Sequence, residues 1–425
     1  MNLLETTREQ ALAGQWLSRS RVRHLSIQAA ASIAVTQSPP REGTVARVVQ
    51  GGVQREWGVP GWHDWIQPAT ATEEFRWLGQ TPVAGVSLAD KIARVRDLQE
   101  RVAASDPRIA QVMVVYDERL EEKRITTDCF DRSSEIARIL FAVVVLVHDR
   151  GRTEQNLVLR GRVGGFEVTD LPEEEVREGI AAAVRMLDAR PIEPGSYRVV
   201  SAPEVSGVLA HEAFGHGVEM DLFLSGRTRA AESMGERVGS PYASIVDDPT
   251  LAQGYAGYPF DDDGTLAARH VILDRGILRG GLADNEAARA LSASGGNGRR
   301  QDYSRKVYPR MSNIFFTPGT ATVDDLIAGV EEGVYLRQVE SGMEDPKNWG
   351  LQVTVHSGEE IKNGALTGRL YRTMAMTGFV PDVLSSIDGV AADFVMWPGM
   401  CGKGHKEWCT SGTGGPHLRM TARLG

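Results

Sequence analysis

Cysteine is scarce in this chain. Cys129, Cys401 and Cys409 are the three thiols among 425 residues. So few thiols cannot build the disulfide framework of a small secreted scaffold, and a soluble cytoplasmic protein fits them better. Long apolar runs are missing as well. The strongest, residues 139–147, contains three consecutive valines. It falls far short of the roughly 20 apolar residues a membrane helix needs, so it reads as a buried strand. The first residues carry Glu5 and Glu9 and no apolar stretch, which does not resemble a secretory leader. There is no long basic cluster, and the net charge is −9. Nucleic acid and anionic membrane are therefore poor partners for it.

What is present is ordinary globular material, with 42% hydrophobic and 24% charged residues. The length exceeds one domain and suggests two. Residues 1–20 suit an amphipathic helix through Leu4, Ala11, Trp16 and Leu17. A β-like pattern runs from Arg23 to about Val59. Trp57, Trp62, Trp65 and Trp77 read as packing residues. Ser87 opens a helix reaching about Ala104, and strands are predicted over 109–116, 122–129, 137–148 and 155–163. The run Asp170-Leu171-Pro172-Glu173 is expected to cap a helix reaching about Ala189. Pro191 and Pro194 then mark a break, which divides the chain into 1–192 and 193–425.

The second part is rich in glycine and short strands, with a helix expected after the Thr322 cap. Strands in blocks, without regular βαβ alternation, argue for an α+β fold. This predicts an N-terminal sheet-and-helix domain and a C-terminal β-rich domain carrying the key motif.

That motif is His211-Glu212-Ala213-Phe214-Gly215-His216. Two histidines and a glutamate beside the first are the ligand and base types of a zinc hydrolase. The usual spacing of the histidines is i, i+4; here it is i, i+5. At about 100° per residue, the second ring turns roughly 140° from the first, so a regular helix cannot aim both at one ion. A π-bulge eased by Gly215 would repair the alignment. The bland alternative is a helix with two partly buried histidines and a solvated glutamate. Buried imidazoles without partners are costly, which favours the metal. Ser201-Ala202-Pro203-Glu204 has capping-box spacing and starts the helix near Ala202.

A catalytic zinc needs a third protein ligand and an open fourth position. Glu219 and Asp221 are the local candidates. Cys401, His405, Cys409 and His417 are the distant ones. Glycines flank Cys401 in a run suited to a tight turn, and thiolate is a good zinc ligand.

Several segments together resemble the TldD/PmbA family, the metalloproteases also described as modulators of DNA gyrase. They are HEAFGHGVEMD at 211–221, DDDGTLA at 261–267, the Asn-Gly-Arg-Arg run at 297–300, PRMSN at 309–313 and PGMCGKG at 398–404. The resemblance covers residues 195–405. It implies zinc on His211, His216 and Cys401, with Glu212 as general base. It also implies hydrolysis of short or unfolded peptides. Members pair as homodimers or with a metal-free PmbA-type paralogue.

Glu219 and Asp221 are expected behind the ligands, since ligating histidines donate their other N–H to a carboxylate or carbonyl. Arg299, Arg300 and Arg310 suit a peptide carboxylate, or else serve the structure. Asp261, Asp262 and Asp263 lack a full calcium-loop pattern and read as a turn. Cys409 reads as a small half-buried side chain, with a second ligand or a reversible disulfide to Cys401 as its alternatives. A non-catalytic scaffold with a structural metal is the competing function. Glu212 argues against it, because a structural site has no use for a base.

Overall fold

Alternation in the first part builds one large antiparallel sheet. The computed structural model describes every residue except 1, 51–52, 68–70, 253 and 405–406. Helix α1 (Leu3–Gly14) leads into β1 (Trp16–Ala29), β2 (Ile33–Gln50), β3 (Val53–Pro60) and β4 (Thr72–Trp77). After α2 (Leu88–Ala103) come β5 (Ile109–Thr127), β6 (Asp131–Asp149) and β7 (Arg152–Val163), then α3 (Glu173–Met186). The order is β3-β2-β1-β5-β6, with β4 and β7 both paired to β6. Along β6, Ile139, Phe141, Val143, Val145 and Val147 are buried at every second residue. They meet Val95, Leu98 and Val102 of α2 and Val176, Ile180 and Ala183 of α3. A period-2 face thus packs against two period-3.6 stripes.

Four expectations are corrected here. The first helix ends at Gly14, because Gln15 adopts a left-handed conformation and Trp16 already pairs in β1. The strands expected over 109–116 and 122–129 are one strand, β5; its central Asp117–Glu121 pairs in unbroken register with β1 and β6. Asp170 does not cap α3, where Pro172 holds the cap position. The capping box at 201–204 does not form. The Ser201 hydroxyl bonds Ser206, and the Glu204 carboxylate accepts from the Gln338 N–H.

The second part contains two six-stranded sheets. In chain order its strands are β8 (Gly195–Ser201), β9 (Ile245–Asp247), β10 (His270–Asp274), β11 (Ile277–Leu278), β12 (Gly298–Arg299), β13 (Tyr308–Pro309) and β14 (Asn313–Phe316). They continue with β15 (Glu332–Asp345), β16 (Gly350–Lys362), β17 (Ala365–Phe379), β18 (Gly389–Val390), β19 (Val395–Lys403), β20 (Glu407–Gly415) and β21 (Leu418–Leu424). One sheet runs β11-β10-β9-β14-β20-β19 and the other β17-β16-β15-β8-β21-β18. Helix α4 (Pro203–Phe214) packs on β14 and β20 of the first and on β15 and β16 of the second. Nearly every α4 residue is buried, as its apolar character on all sides requires. Short helices α5 (Met220–Leu224), α6 (Asn285–Leu291), α7 (Val323–Ala328) and α8 (Val380–Ser385) lie at the margins. Among the described residues no helix is long and apolar enough to cross a membrane.

Candidate metal centre

His211 lies in the last turn of α4, and the helix stops three residues later. The π-bulge expected from the i, i+5 spacing is absent. Instead α4 ends at Phe214, Gly215 bridges, and His216 opens a 3-10 turn over His216–Val218. This break swings the second imidazole back toward the first. Gly215 is required by close approach: a Cβ there would lie 2.1 Å from Met311 Sδ and 2.2 Å from the His211 carbonyl oxygen.

The third member arrives from β19. Cys401 Sγ lies 3.2 Å from His211 Nε2 and 3.1 Å from His216 Nε2. The rings stand edge to face, with centroids 4.9 Å apart. Among the described residues, these three donors lie within 4.8 Å of one another. Their other sides have partners. His211 Nδ1 is 3.5 Å from the Ser411 hydroxyl, and His216 Nδ1 is 3.5 Å from Glu219 Oε1. With Nδ1 turned outward on both rings, both Nε2 atoms face the thiol. A borderline-soft cation is the group that two imidazoles and a thiolate suit.

A charged layer supports this trio. Arg310 donates to Cys401 Sγ at 3.0 Å and to the Cys401 carbonyl at 2.9 Å. Its Nε lies 3.2 Å from Glu219, and Lys403 lies 2.8 Å from Glu219 and 2.7 Å from Asp221. Burial would raise the Glu219 carboxyl, but Lys403, His216 and Arg310 override it and hold the group well below the usual carboxylate range. Burial likewise opposes a Cys401 thiolate, yet His211 and His216 hold that thiol well below its ordinary value. Burial raises the Glu212 carboxyl, with partial relief from the two histidines. Strand β15 presses on Glu212, for a Cβ on Gly342 would sit 2.6 Å from Glu212 Oε1. Glu344 is on the same strand; burial pushes it up to about 8, with Glu212 and Glu219 adding repulsion and His216 opposing.

Of the expected second set, Glu219 reaches a histidine and Asp221 reaches Lys403 instead. The arginines divide. Arg299 is spent on the Met311 and Thr410 carbonyls and the Thr410 hydroxyl, and Arg310 is buried against Cys401 and Glu219. Arg300 bonds Ser18 through one nitrogen. Cys409 is buried directly opposite Cys401 in the β19–β20 ladder. His417 stacks on Tyr335 and bonds Asp393, away from the trio. His405 lies outside the described residues. Asp261, Asp262 and Asp263 form a turn that accepts backbone N–H groups and pairs with Lys123 and Arg47. Sequence reasoning gave no role to Lys403 or Ser411, although Lys403 stood inside a quoted motif. Nothing in the local sequence marked Glu344.

One buried and one half-buried imidazole with a buried thiolate, beside a carboxylate, make the arrangement of a metal-dependent hydrolase. A family profile for the PmbA/TldA metallopeptidase C-terminal domain matches residues 194–423. A metalloprotease of Archaeoglobus fulgidus is 30% identical over 321 residues, 75% of this chain and 73% of that one. A zinc metalloprotease TldD homolog of Saccharolobus solfataricus is 31% identical over 228 residues, 53% of this chain and 50% of its own length. The fold matches a solved structure from Thermotoga maritima, described as a modulator of a DNA gyrase, with TM-score 0.80, 18% identity and full coverage of both chains. The chain belongs to the PmbA/TldD metallopeptidase family.

Proposed function

We propose that this chain is a zinc-dependent peptidase acting on short or unfolded peptides. His211, His216 and Cys401 would hold the zinc. The convergence of two Nε2 atoms and one Sγ, with Glu212 adjoining in sequence, carries this reading. When bound, zinc would polarise the scissile carbonyl and acidify a water, more weakly than in a three-nitrogen site because thiolate donates more charge.

Glu212 takes a proton from the attacking water and returns it to the leaving amine. Its buried setting supports this, since a raised carboxyl pKa brings a base nearer its working pH. Arg310 donates to Cys401 Sγ and favours the thiolate. Glu219 fixes the His216 ring and is itself fixed by Lys403. Arg299 and Arg310 act as frame residues, because their donors are spent inside the protein.

The division near residue 192 is part of the proposal. It is supported by the first sheet lying before residue 164 and the other three after residue 194. Pairing with a second copy or a metal-free paralogue is proposed from the family resemblance. The test is Glu212→Gln. Hydrolysis of an unstructured peptide should fall by about 10²–10⁴-fold while zinc stays bound. Unchanged hydrolysis would remove Glu212 from the mechanism.

A further inference from the structure

A cavity of about 40 Å³ lies between the first sheet and the loops of the second part. Arg119 and Lys123 of β5, Arg138 of β6, and Arg299 and Arg300 from β12 and its end border it. Cys409 lines it too. Because Cys409 is the register partner of Cys401, the cavity begins one strand away from the metal trio.

Four acids also line the space, and three already have close partners. Asp261 accepts from the N–H groups of Asp263, Thr265 and Gly298. Asp262 holds the Lys123 ammonium at 2.6 Å and accepts from the Arg300 backbone N–H. Asp302 accepts from Ser304. Glu121 remains, at 3.8 Å from Arg119 and 3.7 Å from Arg138. Those are ion-pair distances, beyond hydrogen-bond range.

Three guanidinium nitrogens of the residues bordering the cavity find no hydrogen-bond partner among the described residues. They are Nε of Arg119 and one terminal nitrogen each of Arg138 and Arg300. Arg138 is 2% exposed and Arg300 8%. A guanidinium cannot shed its charge, and a buried donor left unpaired is costly. Burial lowers the Arg138 pKa, Glu121 offsets this, and Arg119 and Arg299 add repulsion. Residues with unpartnered donors from three segments therefore border one cavity, whose lining carries five cationic side chains against four acids.

We propose that this cavity binds a compact oxyanion of carboxylate size on the free N–H groups of Arg119, Arg138 and Arg300. Two sources share that chemistry: a small free carboxylate, and the C-terminal carboxylate of a bound peptide. The second rests on the peptidase reading and the first does not. The proposal gives Arg300 the contact that the committed donors of Arg299 and Arg310 cannot make.

The test uses the full chain. Formate and acetate are titrated against chloride at fixed ionic strength, followed by calorimetry and thermal unfolding, in wild type, Arg119→Gln and Arg300→Gln. Hydrolysis of one peptide is then compared with a free and an amidated C-terminus. Binding in wild type that weakens about tenfold or more in a variant supports the site. If amidation also raises KM about tenfold, and the gap closes in Arg119→Gln, the peptide is the source. Acetate binding without that gap supports the site with a free anion as its ligand. No binding of either carboxylate by wild type, or binding that neither variant weakens, overturns the proposal. A chain that binds acetate but cleaves neither peptide keeps the anion site and counts against the peptidase reading instead.

Discussion

The seven-stranded sheet and the candidate metal centre are buried by opposite means. In the sheet, Phe141 and its valine neighbours are dry apolar contacts on two helices. Around the trio, Glu219, Arg310 and Lys403 are charges taken from water and matched to one another. Apolar burial is non-directional, so one lost side chain costs stability in proportion to its size. A buried charge network is directional, and losing one member strands the rest. The first region should therefore fail by unfolding, the second by losing function while still folded.

Glu212→Gln should show the largest effect. Removing a general base costs about 10²–10⁴-fold in rate. Circular dichroism and zinc content should match wild type, and a drop in either would blur the contrast. Phe141→Ala comes next, with about 3–5 kcal/mol lost in denaturant unfolding. Zinc affinity of the surviving folded fraction should be unchanged; a parallel loss would mean the sheet and the site are coupled. Glu219→Gln should weaken zinc about 10–100-fold in a chelator competition, the usual cost of losing a supporting partner. Affinity equal to wild type would show that Glu219 does not orient His216.

The smallest effect concerns pH. Asp284 caps α6 by accepting from the Ala287 N–H. Burial, aided by Asp263 and Glu286, raises its carboxyl from 3.8 to about 6. A raised folded value means its stabilisation is full below about 3.8 and is lost as pH rises through about 6. Asp284→Asn should flatten that part of the stability profile. An unchanged slope there would place the titration elsewhere.

Legibility in the sequence followed the same division. The buried strand over 139–147 and the Ser87 and Thr322 caps are local signals, and each forms as read. The Ser201 box failed because Gln338, distant in sequence, takes the carboxylate, while nearby Ser206 takes the hydroxyl. The i, i+5 spacing announced that the helix must be interrupted, but not that Gly215 would end it against Met311. The trio was readable as residue types and through the family resemblance. The Arg310 bond to Cys401, the Lys403 pair and the opposition of Cys401 and Cys409 come from contacts between distant segments. No local pattern encodes those.

The most direct measurement is zinc content of the purified chain by mass spectrometry, for wild type and Cys401→Ser, at matched folded fraction. The account predicts about one zinc per chain in wild type and a large loss in the variant. Equal zinc in both, or none in wild type, would contradict a metal centre built on His211, His216 and Cys401.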